Sequence, residues 1–263
     1  GNGNLFLVDV SVNKDNIVFY YFSLDTACIS ILLRVKQQYI YEESDLRHVY
    51  IKNKCIRSIL EYIDLKIIGK SLLSVFTSEG FLEYHYEEKA PDNTFVIPNK
   101  LNVRILNSKR YKKKKYNNDN IVFGFVGIPR FNSVFTFAKL VGELYPQHEF
   151  HFFGKPIEEN TQYSYLEKYE NIYFHGSFKN PDDLPLIYSS IDFVVALYDA
   201  NLINVRYAEP NKLYESVFFR VPIIVSDNTF LATKVAEFNI GSILHSNNDK
   251  SIIEFINSIS QER

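Results

Sequence analysis

From residue 120 to the carboxy terminus, short uninterrupted apolar runs alternate with amphipathic segments, a pattern that restricts this part of the chain to repeated strand–helix units. Runs such as Ile121-Val122-Phe123-Gly124-Phe125-Val126 have no polar face, as expected of strands covered by helices on both sides of a parallel sheet. We expect strands over residues 121–127, 149–154, 171–176, 192–198, 221–226 and 242–245, and helices over 133–144, 163–169, 183–190, 210–219, 231–238 and 250–260. The first hundred residues repeat the theme with fewer units: strands over 4–10, 16–22, 39–43, 72–78 and 94–98, and helices over 25–35 and 52–68. Ile59, Ile63 and Ile67 recur every four residues and should give the second of these helices its buried stripe. The class is thus α/β with two Rossmann-like domains, the amino-terminal one reduced or truncated. Residues 1–105 form the incomplete domain, 106–119 a basic linker and 120–263 the fuller domain.

At 263 residues and 46% hydrophobic content the chain can fill a core in each domain. A formal net charge of −2 argues against a nucleic-acid partner. Cys28 and Cys55 belong to no Cys-x-x-Cys pair or His/Cys cluster and read as reduced thiols. No apolar run is long enough to span a membrane and no signal pattern opens the chain, so we expect a cytoplasmic protein. The Gly-Asn-Gly opening and the absence of methionine read as a trimmed or incomplete chain. Aromatic residues make up 16% of the chain and fall mostly in expected strands, which points to core packing over carbohydrate stacking. The run Lys109-Arg110-Tyr111-Lys112-Lys113-Lys114-Lys115-Tyr116 fits a solvated linker; the alternative is peripheral contact with an anionic membrane at its inner face.

In open α/β sheets, ligands bind where strand ends feed helix starts. At the end of the first carboxy-domain strand stand Gly127, which lets a ligand approach the backbone, and Arg130, whose guanidinium can grip phosphate oxygens or simply face solvent. Gly154 and Gly176 end the next two strands and are as well explained by turns. No Gly-x-Gly-x-x-Gly occurs, so no dinucleotide cofactor is expected. Further on, Glu209-Pro210-Asn211-Lys212-Leu213-Tyr214-Glu215 reads as a polar loop and a helix start, with Pro210 at the first helical position and free N–H groups for an anion. Lys212 and Glu215 share one face, an arrangement equally compatible with a phosphate-and-hydroxyl ligand and with a surface ion pair.

Pro210-Asn211-Lys212-Leu213-Tyr214-Glu215, leading to Arg220-Val221-Pro222, resembles the Pro-x-Lys-x-x-Glu helix start and Gly-x-Pro strand start of the retaining GT-B glycosyltransferases of family-4 type (glycosyl transferases group 1). Gly124-Phe125-Val126-Gly127 with Arg130, Phe152-Phe153-Gly154, Tyr173-Phe174-His175-Gly176, the Leu186 to Asp192 segment and Val96-Ile97-Pro98-Asn99 follow in that family's order. The resemblance covers residues 120–263 closely and 35–100 loosely. It implies transfer of a sugar from a nucleoside-diphosphate sugar to a saccharide or lipid-linked acceptor, with retention at the anomeric carbon, in surface polysaccharide assembly. It further implies that Glu215 binds the ribose hydroxyls, Arg130 and Lys212 the diphosphate, and Thr229 with nearby amides the phosphate region, with Gly127 and Asn211 completing the donor set. A carboxylate accepts two hydroxyl protons, and two cations stabilise a departing diphosphate. No Asp-x-Asp pair is present, so neither a metal nor another cofactor is expected for the transfer.

The chain departs from the family's pattern in several places. The second acidic position is Tyr207, with Glu209 two residues late as its substitute; a glycine is replaced by Arg220, and Gly-Gly by Asp227-Asn228. In the first domain, Asp45 lies where an acceptor-side acid is common, with helix capping as its other reading, while Ser78 is expected to cap and His48 to lie at the surface. A sugar-nucleotide epimerase of the same fold and a catalytically inactive nucleotide-sugar-binding subunit are the competing readings.

Overall fold

The computed structural model describes residues 17–34, 36–106, 120–156 and 161–261. The strand expected over 4–10 and the basic run 109–116 lie outside the described residues. The chain divides into two compact units, Gly1–Pro98 and Asn99–Arg263.

The first unit runs β1 (Val18–Phe22), α1 (Ser23–Leu32), β2 (Gln38–Glu43), a 3-10 turn (Arg47–Tyr50), α2 (Lys54–Lys70), β3 (Leu73–Phe76), α3 (Glu79–His85) and β4 (Thr94–Val96). Its four strands pair in parallel in the order β1-β2-β3-β4. The 3-10 turn is not among the expected elements, and α3 was signalled only through its expected Ser78 cap. Ser78 caps α3 as anticipated, accepting a hydrogen bond from Gly80 N at 3.1 Å. The Ile59, Ile63, Ile67 stripe is corrected. Ile67 is buried, but Ile59 is 59% exposed, and the buried face carries Asp64, Ile67 and Ile68. Residues four apart advance about 40° round a helix, so a stripe built on that spacing alone slants out of the core within two turns.

The second unit runs α4 (Val103–Leu106), β5 (Val122–Val126), α5 (Asn132–Leu144), β6 (Glu149–Phe153), α6 (Thr161–Leu166), β7 (Ile172–Gly176), α7 (Leu184–Ser189), β8 (Phe193–Ala196), α8 (Ile203–Tyr207), α9 (Asn211–Phe219), β9 (Ile223–Ser226), α10 (Phe230–Phe238), β10 (Gly241–Leu244) and α11 (Asp249–Gln261). All the expected strands and helices of this half are present, with α4 and α8 added. Ile105 of α4 is buried within this unit's core. Its six strands are parallel in the order β10-β9-β8-β5-β6-β7. Every residue of β5 is buried, as its uninterrupted apolar sequence requires. On α5, Val134, Phe137, Ala138 and Val141 recur at helical spacing and face the sheet. Phe123, Phe125, Phe150 and Phe152 are buried in the same core. The chain steps outward from β5 through β6 to β7, then returns to the other side of β5 with β8, so the topological switch lies between β5 and β8. A crevice opens at such a point because the two connections leave in opposite directions.

Candidate functional site

The carboxyl ends of β5 and β8 therefore place Gly127 and Tyr198-Asp199 at the switch. Gly127 has φ +134°, a range open essentially to glycine, and its N–H donates to Phe153 O at 2.7 Å. Its open face is filled by a cation: a Cβ built on Gly127 would stand 3.2 Å from Lys212 Nζ. Lys212 is half-buried, its Nζ 5.0 Å from the centre of the Phe125 ring and 5.7 Å from that of Tyr198. Tyr198 packs against Phe131 with ring centres 4.6 Å apart, and the exposed Arg130 guanidinium lies 5.1 Å from the Phe131 ring. Both expected cations thus touch one pair of aromatic rings at the switch point.

Asp199 was missed in the sequence. Its carboxylate accepts from Asn132 N at 3.2 Å, Ser133 N at 3.1 Å and Ser133 Oγ at 2.9 Å, and so caps α5. The first turn of α5 already holds an anionic group. By contrast, Pro210 before α9 offers no side-chain cap, and Asn211 there is exposed. The structure corrects the position of Pro210, which is the residue before the first helical one (φ −78°, ψ 153°), so α9 opens at Asn211.

Glu215 lies three residues beyond Lys212, but the surface ion pair is overturned: Glu215 is 6% exposed and pairs instead with Tyr188, whose hydroxyl donates to Oε2 at 2.8 Å. Burial, and then the neighbouring Glu215, raise the Tyr188 hydroxyl well above its ordinary pKa and keep it a donor. No local sequence signal links residues 27 positions apart. Glu209 is also buried, and its Oε1 accepts a short bond from Tyr214, whose pKa is raised first by burial and then by that bond. Thr229 caps α10: its Oγ1 accepts from Ala232 N at 3.1 Å and donates to Ser226 O at 2.8 Å.

Two departures from the family pattern keep the backbone that glycine would provide. Arg220 ends α9 at φ +58° and ψ 43°, and Asn228 precedes α10 at φ +55°. Left-handed geometry at a non-glycine residue costs about 1–2 kcal/mol, partly offset in glycine by its greater unfolded entropy. Arg220→Gly is therefore expected to stabilise the protein by about 0.5–1 kcal/mol in urea unfolding, with the denaturant slope unchanged.

In the first unit, Asp45 is half-buried in the turn between β2 and the 3-10 helix. His48, expected at the surface, is fully buried, with Nδ1 3.3 Å from Asp64 Oδ2 and Nε2 3.3 Å from the Tyr84 hydroxyl. It belongs to a polar cluster with Tyr41, Glu43, Asp64, Tyr84 and His85. Burial and Asp64 raise the Glu43 carboxyl to about 7, against the lowering effect of its bond to His85. The sequence hid this cluster because its members come from β2, the 3-10 turn, α2 and α3. Cys28 is half-buried and Cys55 exposed, and both are free thiols. Among the described residues, no helix is long and apolar enough to cross a membrane.

No family model and no curated protein sequence matches the chain. Solved structures do. Sucrose-phosphate synthase from Thermosynechococcus elongatus aligns with a TM-score of 0.69 at 15% identity over 92% of this chain and 64% of its own. HepE of Anabaena in complex with UDP-glucose gives 0.68 at 14% over 93% and 69%, and a glycosyltransferase from Rickettsia africae 0.66 at 13% over 93% and 66%. The present chain thus spans 64–69% of these neighbours' lengths. At these identities the likeness establishes the fold: an α/β chain of two Rossmann-like sheets in the GT-B class.

Proposed function

We propose that the chain is a glycosyltransferase that moves a sugar from a nucleoside-diphosphate sugar to a saccharide or lipid-linked acceptor, with retention and without a catalytic metal, in surface polysaccharide assembly. The observation that carries this reading is the approach of Lys212 Nζ to the Gly127 backbone at the sheet's switch point, with Glu215 one turn along the same helix. In this reading Lys212 and Arg130 hold the diphosphate, the α9 start at Asn211 adds N–H donors, and Glu215 binds the ribose through the oxygen that Tyr188 leaves open. Thr229 orders the α10 start beside the phosphates. Glu209, held by Tyr214, and Asp45 on the acceptor-side unit are the acids we assign to the transfer step. Peripheral contact with an anionic membrane, through basic residues 109–116, belongs to the same proposal.

HepE was solved with UDP-glucose, which supports placing UDP-sugars first in a panel with GDP-, ADP- and TDP-sugars. A sugar nucleotide at a hundred times its dissociation constant should add about 2.7 kcal/mol to stability. Glu215→Ala should lose most of that shift. It should also lower the unliganded stability by about 1–3 kcal/mol, because the Tyr188 hydroxyl is left buried without its acceptor. Tyr188→Phe separates the two effects: it removes the internal bond, keeps the carboxylate, and should retain the ligand shift. Equal shifts in native protein and Glu215→Ala would exclude the ribose contact. Product analysis by NMR then tests the reaction, since an epimerase leaves its altered sugar on the nucleotide.

A further inference from the structure

We propose that Glu43, Asp64 and His85 form a divalent-cation site that ties β2, α2 and α3 together within the first unit. The three ligand atoms lie within 4.8 Å of one another, and all three side chains are essentially inaccessible to solvent. His85 Nε2 stands 2.9 and 3.0 Å from the two Glu43 oxygens, almost equidistant. That separation is an ordinary N···O hydrogen-bond distance, and it also matches the about 3.0 Å edge of an octahedron with bonds of about 2.1 Å, so these two groups can close on an ion with little movement.

The surroundings match a cation in a further respect. Tyr41 donates to Asp64 Oδ1 at 2.7 Å, and His48 Nδ1 lies 3.3 Å from Oδ2, so the Asp64 carboxylate is oriented from outside the cluster, as outer partners orient metal ligands. Within hydrogen-bonding reach, the two carboxylates of Glu43 and Asp64 meet the two imidazoles of His85 and His48. Two carboxylates and an imidazole, with no thiolate, suit Zn²⁺ or Mn²⁺. The site lies apart from the donor residues in sequence and in compact unit, and it bears on the architecture of the first unit, not on the transfer step for which no metal is expected. It does not depend on sugar-nucleotide binding.

The test uses the full chain, stripped with EDTA and titrated separately with Zn²⁺ and Mn²⁺. Saturable uptake of one equivalent is expected, with a melting temperature raised by about 5–10 °C at a hundredfold excess over the dissociation constant. Asp64→Asn and His85→Gln should lose both responses. Should either variant fail to fold, NMR of the native chain decides. The imidazole in contact with the Phe76 and Tyr84 rings is His85, and its Nε2 resonance must move on Zn²⁺ addition. No uptake of either ion, unchanged binding in folded variants, or an unmoved His85 resonance would each leave a plain buried Glu–His pair and overturn the site.

Discussion

Lys212→Ala is expected to lower kcat for sugar transfer by about 10²–10³-fold while changing the KM for the donor much less. Charge accumulates on the diphosphate as the glycosidic bond breaks, so a cation at that position is worth more in the transition state than in the ground state. Lys212 Nζ is held against the Gly127 backbone and lies near the Phe125 and Tyr198 rings, so it is pre-positioned and needs little ordering when the donor arrives. The side chain is half-buried and forms no ion pair among the described residues, so its removal should cost the fold only about 1 kcal/mol. Lys212→Arg keeps the charge but cannot put a compact ammonium beside the glycine, and should recover part of the rate. The check is steady-state kinetics on both variants with melting curves alongside. A correctly folded Lys212→Ala enzyme within threefold of native kcat would remove the diphosphate contact, and with it the central element of the proposed function.

The sequence revealed the strand–helix alternation most clearly at the central strands β5, β8 and β9, which are buried almost throughout and therefore written as continuous apolar runs. The switch-point rule then drew attention to Gly127, Arg130 and the α9 start, all of which stand at carboxyl ends of strands or at the helix they feed. What escaped was pairing across the fold. The Tyr188–Glu215 bond, the Asp199 cap on α5 and the His48–Asp64 contact join residues 27, 66 and 16 positions apart, and nothing in local composition marks one partner for the other. Asp199 was within reach, since it immediately follows a strand at the switch. Length alone does not decide which helices are legible: the six-residue α6 and α7 follow from alternation with flanking strands, whereas α8 adds a second helix to the β8–β9 connection and α3 is signalled only by its Ser78 cap. Arg220 shows the opposite case: a residue that looked like a departure in sequence leaves the left-handed backbone of glycine in place.

Gly154→Ala should be the most destabilising single methyl in the second unit's site region, costing about 3–5 kcal/mol and lowering the melting temperature by about 10 °C. Gly154 has φ +140°, and a Cβ there would fall 1.9 Å from Gly127 O and 2.7 Å from Gly127 C. The obstacle is backbone, not a flexible side chain, so either the end of β6 or the β5–α5 turn must move. Those two segments are already joined by the 2.7 Å bond from Gly127 N to Phe153 O, which means the turn cannot yield without losing it. Because Gly127 is also what Lys212 approaches, molecules that remain folded should bind the sugar nucleotide more weakly, coupling a stability defect to a donor defect. Gly69→Ala supplies the opposite sign. Gly69 is exposed in α2, a Cβ there meets nothing within 4 Å, and alanine should stabilise the helix by about 0.5–1 kcal/mol. Urea unfolding of the two variants beside the native protein tests the pair. If Gly154→Ala unfolds within 1 kcal/mol of native, about a fivefold step in equilibrium constant, the close contact between the β5 and β6 ends is absent in solution and the proposed donor pocket loses its floor.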